Sequence, residues 1–275
     1  MFGSVHHHAT IPFHRKDFFF VAALAVMGGS YLVLIVAMLA AQLGYTDYPL
    51  LLEILGNERL TYAIKLSLIS CTVSTILSVL VAVPLAYLLC RVPFPGKGLV
   101  NAVLDIPIIL PPLVIGLALL MLFQTPVGRF IQSYVTVTYA IPGLILAQFT
   151  VACAFAVRTM MTAFSEIDVR REQVALTLGC SRAQAFNWIV VPEARRGMVA
   201  AATIAWARAM GEFGPVLVFA GTTSMRTEVM PTAVFLELNV GNLRTATALA
   251  LYMIVFSMVV LLLMRLALRK PSQHD

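Results

Sequence analysis

The polar stretch EQVALTLGCSRAQAFNWIVVP, residues 172–192, interrupts a chain that is otherwise strongly apolar. Its pattern predicts a helix, a turn and a second helix. Gly179 suits the end of the first helix, because glycine adopts the left-handed C′ conformation without steric cost. Ser165 and Ser181 are candidate N-caps, and Gln184 follows Ser181 at the spacing of a capping box. The stretch therefore predicts a rigid helix-turn-helix between apolar segments.

The composition around this stretch is that of a polytopic membrane protein. Of the 275 residues, 60% are hydrophobic and only 12% are charged, about half the charged share of soluble domains. The sequence therefore excludes a soluble domain and predicts an all-α membrane protein, a polytopic bundle of six transmembrane helices. Six apolar runs are long enough to cross a bilayer, namely residues 18–43, 66–90, 99–123, 141–163, 197–221 and 245–264.

The distribution of basic residues predicts the orientation of the bundle. With six spans, thirteen Lys and Arg residues fall on the side of both termini and the polar stretch, and five fall on the other side. Because cytoplasmic loops are enriched in Lys and Arg, we expect both termini and the polar stretch to be cytoplasmic. The net charge of +6 is then an orientation signal and requires no nucleic-acid partner. The thirteen are Arg15, Lys16, Arg91, Lys97, Arg158, Arg170, Arg171, Arg182, Arg195, Arg196, Arg265, Arg269 and Lys270; the five are Arg59, Lys65, Arg129, Arg226 and Arg244.

The polar stretch resembles a motif of a known family. Permeases of importer-type ABC transporters carry a cytoplasmic loop written roughly E-A-A, three residues, G, nine residues, I-x-L-P. Gly179, Ile189 and Pro192 stand at that spacing, with Val191 in the Leu place. Pro192 cannot continue an α-helix unchanged, which predicts an end or a distortion there. An amphipathic cytoplasmic loop of another kind of membrane protein is the alternative interpretation.

The first part of the motif departs from the family pattern. Gln173 occupies the Glu position and Val174 the first Ala position, and only Ala175 matches. Glu172 lies one residue earlier. The departure leaves open whether this chain keeps any ion pair that the family's Glu makes.

The resemblance implies a domain organisation and a set of partners. Residues 1–16 would form a cytoplasmic tail, 17–270 a single transmembrane permease domain with a coupling loop at about 165–196, and 271–275 a second tail. The permease would sit in the cell's inner (plasma) membrane as a dimer with a second copy, on two ABC ATPase subunits. The ATPase-coupling residues would be Glu172, Gln173, Ala175, Gly179, Ser181, Arg182, Phe186, Ile189 and Pro192.

Two aromatic residues of the loop are open to two interpretations. Phe186 and Trp188 are suited to anchor an interface with the ATPase, or they pack back on the permease's own helices. Trp188 precedes Ile189, a position that also suits the membrane surface.

The sequence contains no catalytic motif. It has no Walker A GxxxxGK[ST], no HExxH, no GxSxG and no paired Cys/His cluster, so it has no phosphate-cradling loop of its own. We expect no enzymatic activity, no catalytic residue, no metal site and no cofactor in this chain, with ATP-Mg bound by the partner ATPase. We interpret His6–His8 as part of a polar tail.

A second constellation, ARAMGEFGPVLVFAG at residues 207–221, places charges inside an apolar run. Arg208 and Glu212 share a helical face at i, i+4, and Arg208 lies ~16 Å into the run at 1.5 Å per residue. Ionisable groups at that depth usually face a bundle interior or a water-filled path. A translocation pathway and a structural ion pair are both open. Pro111 and Pro112 end the run PIILPP, where prolines bend or interrupt a helix beside protein or a cavity.

The stretch at residues 207–221 narrows the family resemblance to a smaller group of permeases. Together with PIILPP and TEVMPTAVFLELNVGN at residues 227–242, it looks like the permeases of molybdate, tungstate and sulfate importers. The resemblance implies uptake of a tetrahedral oxyanion, molybdate first and tungstate or sulfate next, delivered by an extracytoplasmic binding protein. The outer loop with Glu228 and Glu237 is a candidate docking surface for that protein, with a solvated loop as the other interpretation.

Two functional classes other than an ABC permease remain open. An ion-coupled secondary transporter would use Arg208, Glu212 and Asp105 as a relay and would transport without ATP. A membrane scaffold would carry no flux.

Overall fold

The computed structural model describes residues 18–46 and 48–268. The described residues form α-helices, π-helical turns and loops, with no β-strand among them. The predicted tails at residues 1–16 and 271–275, with the His6–His8 tract, lie outside the described residues.

The chain divides into two compact units between Thr46 and Asp47. The first unit contains α1 (Phe18–Tyr45), an apolar helix of 28 residues. It covers the first predicted span and is long enough to cross a bilayer.

The second unit contains the remaining described helices. They are α2 (Tyr48–Gly56), α3 (Glu58–Arg91), α4 (Lys97–Ile109), α5 (Pro112–Gln124), α6 (Pro126–Tyr134), α7 (Ile141–Glu166), α8 (Val169–Thr177), α9 (Arg182–Ala185), α10 (Val191–Met210), α11 (Met230–Asn239) and α12 (Leu243–Leu268). α2 lies between the first and second predicted spans, and α6 follows the third.

Four helices have the length and composition of a membrane span: α1, α3, α7 and, over Leu243–Met264, α12. The third predicted span is broken into α4 and α5, which meet at 115° and make a fifth candidate if the pair counts as one span. α10 does not qualify, because its 20 residues include Glu193, Arg195, Arg196 and Arg208. The six-span count therefore stays a prediction.

Small side chains bring the central helices of the second unit together. α3, α7 and α10 pack against one another, with alanines at the contacts: Ala82, Ala86, Ala152, Ala156, Ala201 and Ala205 are buried. Such residues allow close backbone approach where lipid removes the hydrophobic drive between helices. The polar loop joins α7 to α10, so it is attached to two members of this core.

Candidate functional site

The turn in the polar loop has the predicted left-handed glycine. Gly179 has φ +91°, and its N–H donates to Leu176 O at 3.1 Å while Cys180 N–H donates to Ala175 O at 3.1 Å. These two bonds form a Schellman motif, which satisfies the last carbonyls of α8. The turn is therefore fixed by backbone hydrogen bonds that depend on a positive φ.

The second helix of the loop starts with the predicted capping box. Ser181 Oγ accepts from Gln184 N–H at 3.3 Å, and Gln184 Oε1 accepts from Ser181 N–H at 2.8 Å. The expectation that Ser165 is an N-cap is wrong. Ser165 lies inside α7 and donates to Thr162 O, while the carboxylate of Asp168 caps α8.

The second helix does not end near Trp188. α9 continues through a π-helical turn, Phe186–Val190, directly into α10. Pro192 lies in the first turn of α10, and Val191 N–H donates five residues back to Phe186 O. The wider π register accommodates a residue that lacks an N–H and would clash in an unbroken α-helix. The loop helix and α10 are therefore one continuous, locally distorted rod.

The first helix of the loop is tied to α3 through Glu172. This side chain is buried, whereas Gln173 is exposed. Tyr87 Oη donates to Glu172 Oε1, and Arg91 Nε lies 3.6 Å from Glu172 Oε2. Arg91 also donates from Nη2 to Ile167 O at 2.8 Å. Glu172, one residue before the motif position, thus makes an ion pair within this chain.

A cavity of about 580 Å³ opens beside this cluster, between the end of α3, α8 and α9. The ring of Phe186 is half-buried and packs against that of Tyr87 at a centroid distance of 4.6 Å. Trp188 is 67% exposed, and Arg182 is also exposed. Of the other predicted coupling residues, Ala175 is buried and Ile189 is half-buried.

Arg208 and Glu212 form a close pair. Arg208 Nη2 lies 2.5 Å from Glu212 Oε1, with the side chain of Arg208 37% exposed and that of Glu212 only 2% exposed. The guanidinium also lies 5.0 Å above the centre of the Phe155 ring on α7. The buried carboxylate is thus neutralised by an arginine that reaches the surface of the chain.

The helix break predicted at Pro111 and Pro112 lies against a second break, at the end of α10. α10 ends at Met210, and the π-helical turn Val216–Ala220 follows only after a break. A Cβ placed on Gly214 would lie 2.9 Å from both Leu113 N and Pro112 Cβ, so only glycine allows this approach. Pro111 and Pro112 are exposed. The structure therefore brings Pro112 to the break that contains Glu212.

Asp105 does not join this pair. Its Oδ1 lies 2.6 Å from Arg158 Nη2, and Arg158 also bonds to Asn101. Among the described residues, no hydrogen bond or ion pair connects Asp105 to Arg208 or Glu212. The three residues of the secondary-transport alternative are therefore divided between two separate pairs.

The two glutamates of the loop before and within α11 are buried. Glu228 is 1% exposed and Glu237 is 7% exposed, and both bind Arg59, at 2.6 Å and 3.2 Å. Asn242 Nδ2 donates to the second oxygen of Glu237 at 2.9 Å. An arginine 169 residues from Glu228 in the chain therefore fixes α11 against the start of α3, and docking of a binding protein on this loop stays a prediction.

These features define a polytopic helical membrane component with a capped polar loop and no catalytic motif in the sequence. The chain belongs to the family described as "Binding-protein-dependent transport system inner membrane component", whose model matches residues 75–273. It is 30% identical over 84% of each chain to the sulfate transport system permease protein CysT of Salmonella typhimurium. It is 32% identical to the molybdate/tungstate permease protein WtpB of Thermococcus kodakarensis, over 75% of this chain and 80% of the relative. It is also 32% identical to the molybdenum permease protein ModB of Haemophilus influenzae, over 73% of this chain and 90% of the relative.

The fold is also found in solved transporter structures. A bacterial alginate ABC transporter in complex with its periplasmic protein aligns with TM-score 0.76 at 17% identity, over 95% of this chain and 97% of that chain. The methionine transporter MetNI aligns with TM-score 0.59 at 17% identity, over 78% of this chain and all of that chain. At these identities the similarity establishes the permease fold alone.

Proposed function

We propose that this ABC importer permease carries a tetrahedral oxyanion across the inner membrane, molybdate first and tungstate or sulfate next. The proposal is supported by the printed functions of relatives 30% to 32% identical to this chain. The three ions share a charge of two and a tetrahedral shape. We therefore assign the choice among them to an extracytoplasmic binding protein that delivers the ion.

The observation that carries the proposal is the construction of the polar loop. A Schellman turn and a capping box fix its shape, and its second helix runs without interruption into α10. We propose that residues 165–196 are the cytoplasmic coupling loop, which docks on one of two ATPase subunits. A rod from Arg182 to Met210 is ~43 Å long at 1.5 Å per residue, so it can carry a rigid-body displacement across the membrane.

The rod would transmit this displacement to the two helix breaks. α10 ends beside Glu212, and the break there contacts the one between α4 and α5 at Pro112 and Gly214. Because helix breaks at membrane depth are tolerated where protein or a water-filled cavity satisfies the backbone, we propose that these breaks border the translocation pathway. The pathway would form between two copies of this chain.

The same proposal fixes the topology. We count α4–α5 and α10 with its following π-helical turn as two interrupted spans, which gives six with α1, α3, α7 and α12. Both termini are then cytoplasmic, in agreement with the excess of Lys and Arg on that side.

The ion-coupled secondary transporter is not favoured. Its relay would need Asp105 near Arg208 and Glu212, whereas Asp105 is held by Arg158. Membership in a binding-protein-dependent transport family also favours ATP-driven import.

The docking proposal is tested with Trp188→Ala, Phe186→Ala and a control, Tyr134→Ala. Trp188 and Tyr134 are 67% and 76% exposed aromatics, so neither change should affect folding. Loss of an interface anchor costs about 2 kcal/mol or more. We expect Trp188→Ala to weaken ATPase binding to the purified permease about thirtyfold, with Tyr134→Ala unchanged.

Phe186→Ala separates docking from support of the loop. Because Phe186 packs on Tyr87, we expect it to weaken ATPase binding and also to lower the thermal stability of the permease. Unchanged ATPase affinity in both loop variants would remove this loop from the interface.

A further inference from the structure

A second cavity, of about 470 Å³, opens between α7 and α10 at the ends that the polar loop connects. The groups that line it include two guanidiniums, two hydroxyls and one carboxylate. They come from Arg158, Arg196, Thr159, Thr162 and Glu166, and Gly197 also lines the cavity. The cavity borders the ends of the proposed coupling loop through Glu166 and Arg196, and neither Arg208 nor Glu212 lines it.

The polar lining follows one face of an otherwise apolar helix. On α7, residues 158, 159, 162 and 166 recur at helical spacing, so their side chains share a face. An arginine and two hydroxyls on such a face of a spanning helix mark a bundle interior or a water-filled path rather than lipid. α7 and α10 approach closely beside the cavity, because a Cβ on Gly197 would lie 2.2 Å from Ala163 Cβ. The two helices therefore touch at that point and leave an open groove beside it.

The charges of the groove suit a weakly bound anion. Arg158 directs its N–H groups to Asp105, Asn101 and Met161 Sδ and keeps 32% of its side chain exposed, so it contributes positive charge rather than free donors. Arg196 is exposed, and no ion pair to it appears among the described residues. Glu166 contributes an opposing negative charge, so the groove attracts an anion without holding it strongly.

Two hydroxyls supply further donors. Thr159 Oγ1 now donates to Phe155 O at 2.9 Å, and Thr162 Oγ1 donates to Arg158 O at 3.2 Å. A hydroxyl can rotate its proton from such a helix carbonyl to a better acceptor. The guanidinium of Arg196 and these two hydroxyls can donate to the acceptor oxygens of a tetrahedral oxyanion, and Arg158 adds positive charge beside them.

The groove lies on the same seam between α7 and α10 as the embedded ion pair. The ring of Phe155 lies under the Arg208 guanidinium, and Phe155 is one helical turn before Arg158. On α10, Gly197 and Arg208 are separated by ~16 Å at 1.5 Å per residue. An anion that passes Arg208 and moves along this seam toward the polar loop would reach the groove.

We propose that this groove is a low-affinity site for a divalent tetrahedral oxyanion at the cytoplasmic end of the translocation pathway, formed by Arg158, Arg196, Thr159 and Thr162. The inference rests on the proposed function. Low affinity is a requirement of the role, because a pathway site must release its ion as readily as it receives it. The phosphate of an anionic lipid has the same chemistry, and the experiment distinguishes the two sources.

The test uses Thr162→Cys in a protein where Cys180 is replaced by Ser. The permease–ATPase complex is placed in nanodiscs of neutral lipid and treated with an anionic or a cationic thiol reagent. We expect the anionic reagent to react about tenfold faster at Thr162→Cys, because the groove concentrates anions. Molybdate or sulfate should slow that reaction in a saturable way. Ser165→Cys is exposed and lies outside the groove, so its reaction should not be slowed.

Three further variants identify the groups that bind. Arg196→Gln should weaken protection by molybdate about fivefold to tenfold, the loss expected for one charged hydrogen bond at a partly exposed site. Arg195→Gln, an exposed neighbour of the same charge outside the groove, should leave protection unchanged. Glu166→Gln should strengthen protection, because it removes the opposing charge.

Several results would overturn the inference. They are no reaction of Thr162→Cys with either reagent, equal effects of Arg195→Gln and Arg196→Gln, and protection seen only when anionic lipid is added. The last result would assign the groove to a lipid headgroup. The readout needs no transport, so a complex that shows protection but no oxyanion uptake would contradict the proposed function and leave the site standing.

Discussion

The left-handed conformation of Gly179 allows a substitution to change the backbone of the polar loop without placing a side chain against any neighbouring residue. An ideal Cβ on Gly179 meets no atom within 4 Å, yet φ is +91°. A side chain there therefore adds no clash and acts only through the backbone conformation. For a residue other than glycine, the left-handed conformation costs roughly 1–2 kcal/mol, and a β-branched residue lies at the upper end.

This cost predicts a graded series of variants. Gly179→Asn should be mildest, because asparagine tolerates positive φ; Gly179→Ala should be intermediate and Gly179→Val the most severe, at about 2 kcal/mol. If ATPase binding requires the native turn, that strain reduces the affinity by up to about thirtyfold. The Gly98→Val change is a control, since Gly98 also has open space around its Cβ but no positive φ.

The assay measures ATPase affinity of the purified permease and oxyanion taken up per ATP hydrolysed. We expect the order Gly, Asn, Ala, Val in both quantities, with Gly98→Val close to the unchanged protein. Equal losses in Gly179→Asn and Gly179→Val would show that side-chain bulk matters rather than backbone conformation. Unchanged affinity and coupling in Gly179→Val would refute the role assigned to the turn.

Three further predictions concern other parts of the molecule. Tyr87→Phe and Glu172→Gln should be non-additive by about 1 kcal/mol in the unfolding free energy of the detergent-solubilised permease, because their side chains are in direct contact; additive effects would show that the contact does not stabilise the loop. Arg208→Met alone should cost about 3 kcal/mol, because it leaves the buried Glu212 carboxylate unpaired, and adding Glu212→Gln should restore expression and uptake; a well-expressed but inactive double variant would instead indicate a pathway role for Arg208. A cysteine at Thr223 should react with a membrane-impermeant reagent only from outside, and reaction from the cytoplasm would contradict the six-span topology.

The features of the polar loop that sequence predicts well are local. The end at Gly179 and the capping box at Ser181 and Gln184 depend on residues within five positions of each other, so the sequence predicts them directly. Ser165 failed as a cap because α7 continues past it, and Asp168 ends up at the first residue before α8. Both residues can cap a helix, and packing of the preceding helix decides between them.

The features that sequence reasoning missed depend on distant contacts. Arg59 and Glu228 are 169 residues apart in the chain, and Tyr87 and Glu172 are 85 apart. Only the packing of α3 against later helices brings them together, so an acidic loop such as that of Glu228 and Glu237 looks exposed in the sequence. For Glu172, the one indication in the sequence was that it lies one residue before the Glu position of the family motif. That position is on the inner face of α8.

The central claim, ATP-driven import of a tetrahedral oxyanion, is tested most directly in proteoliposomes that contain this permease and candidate ATPase subunits. Binding protein loaded with molybdate is added on the outer side, and molybdate uptake is measured with and without ATP inside, and with sulfate or tungstate as competitors. We expect uptake only when both ATP and binding protein are present. Uptake that proceeds without ATP and follows an imposed proton gradient, or no oxyanion uptake by a complex that hydrolyses ATP, would contradict the account.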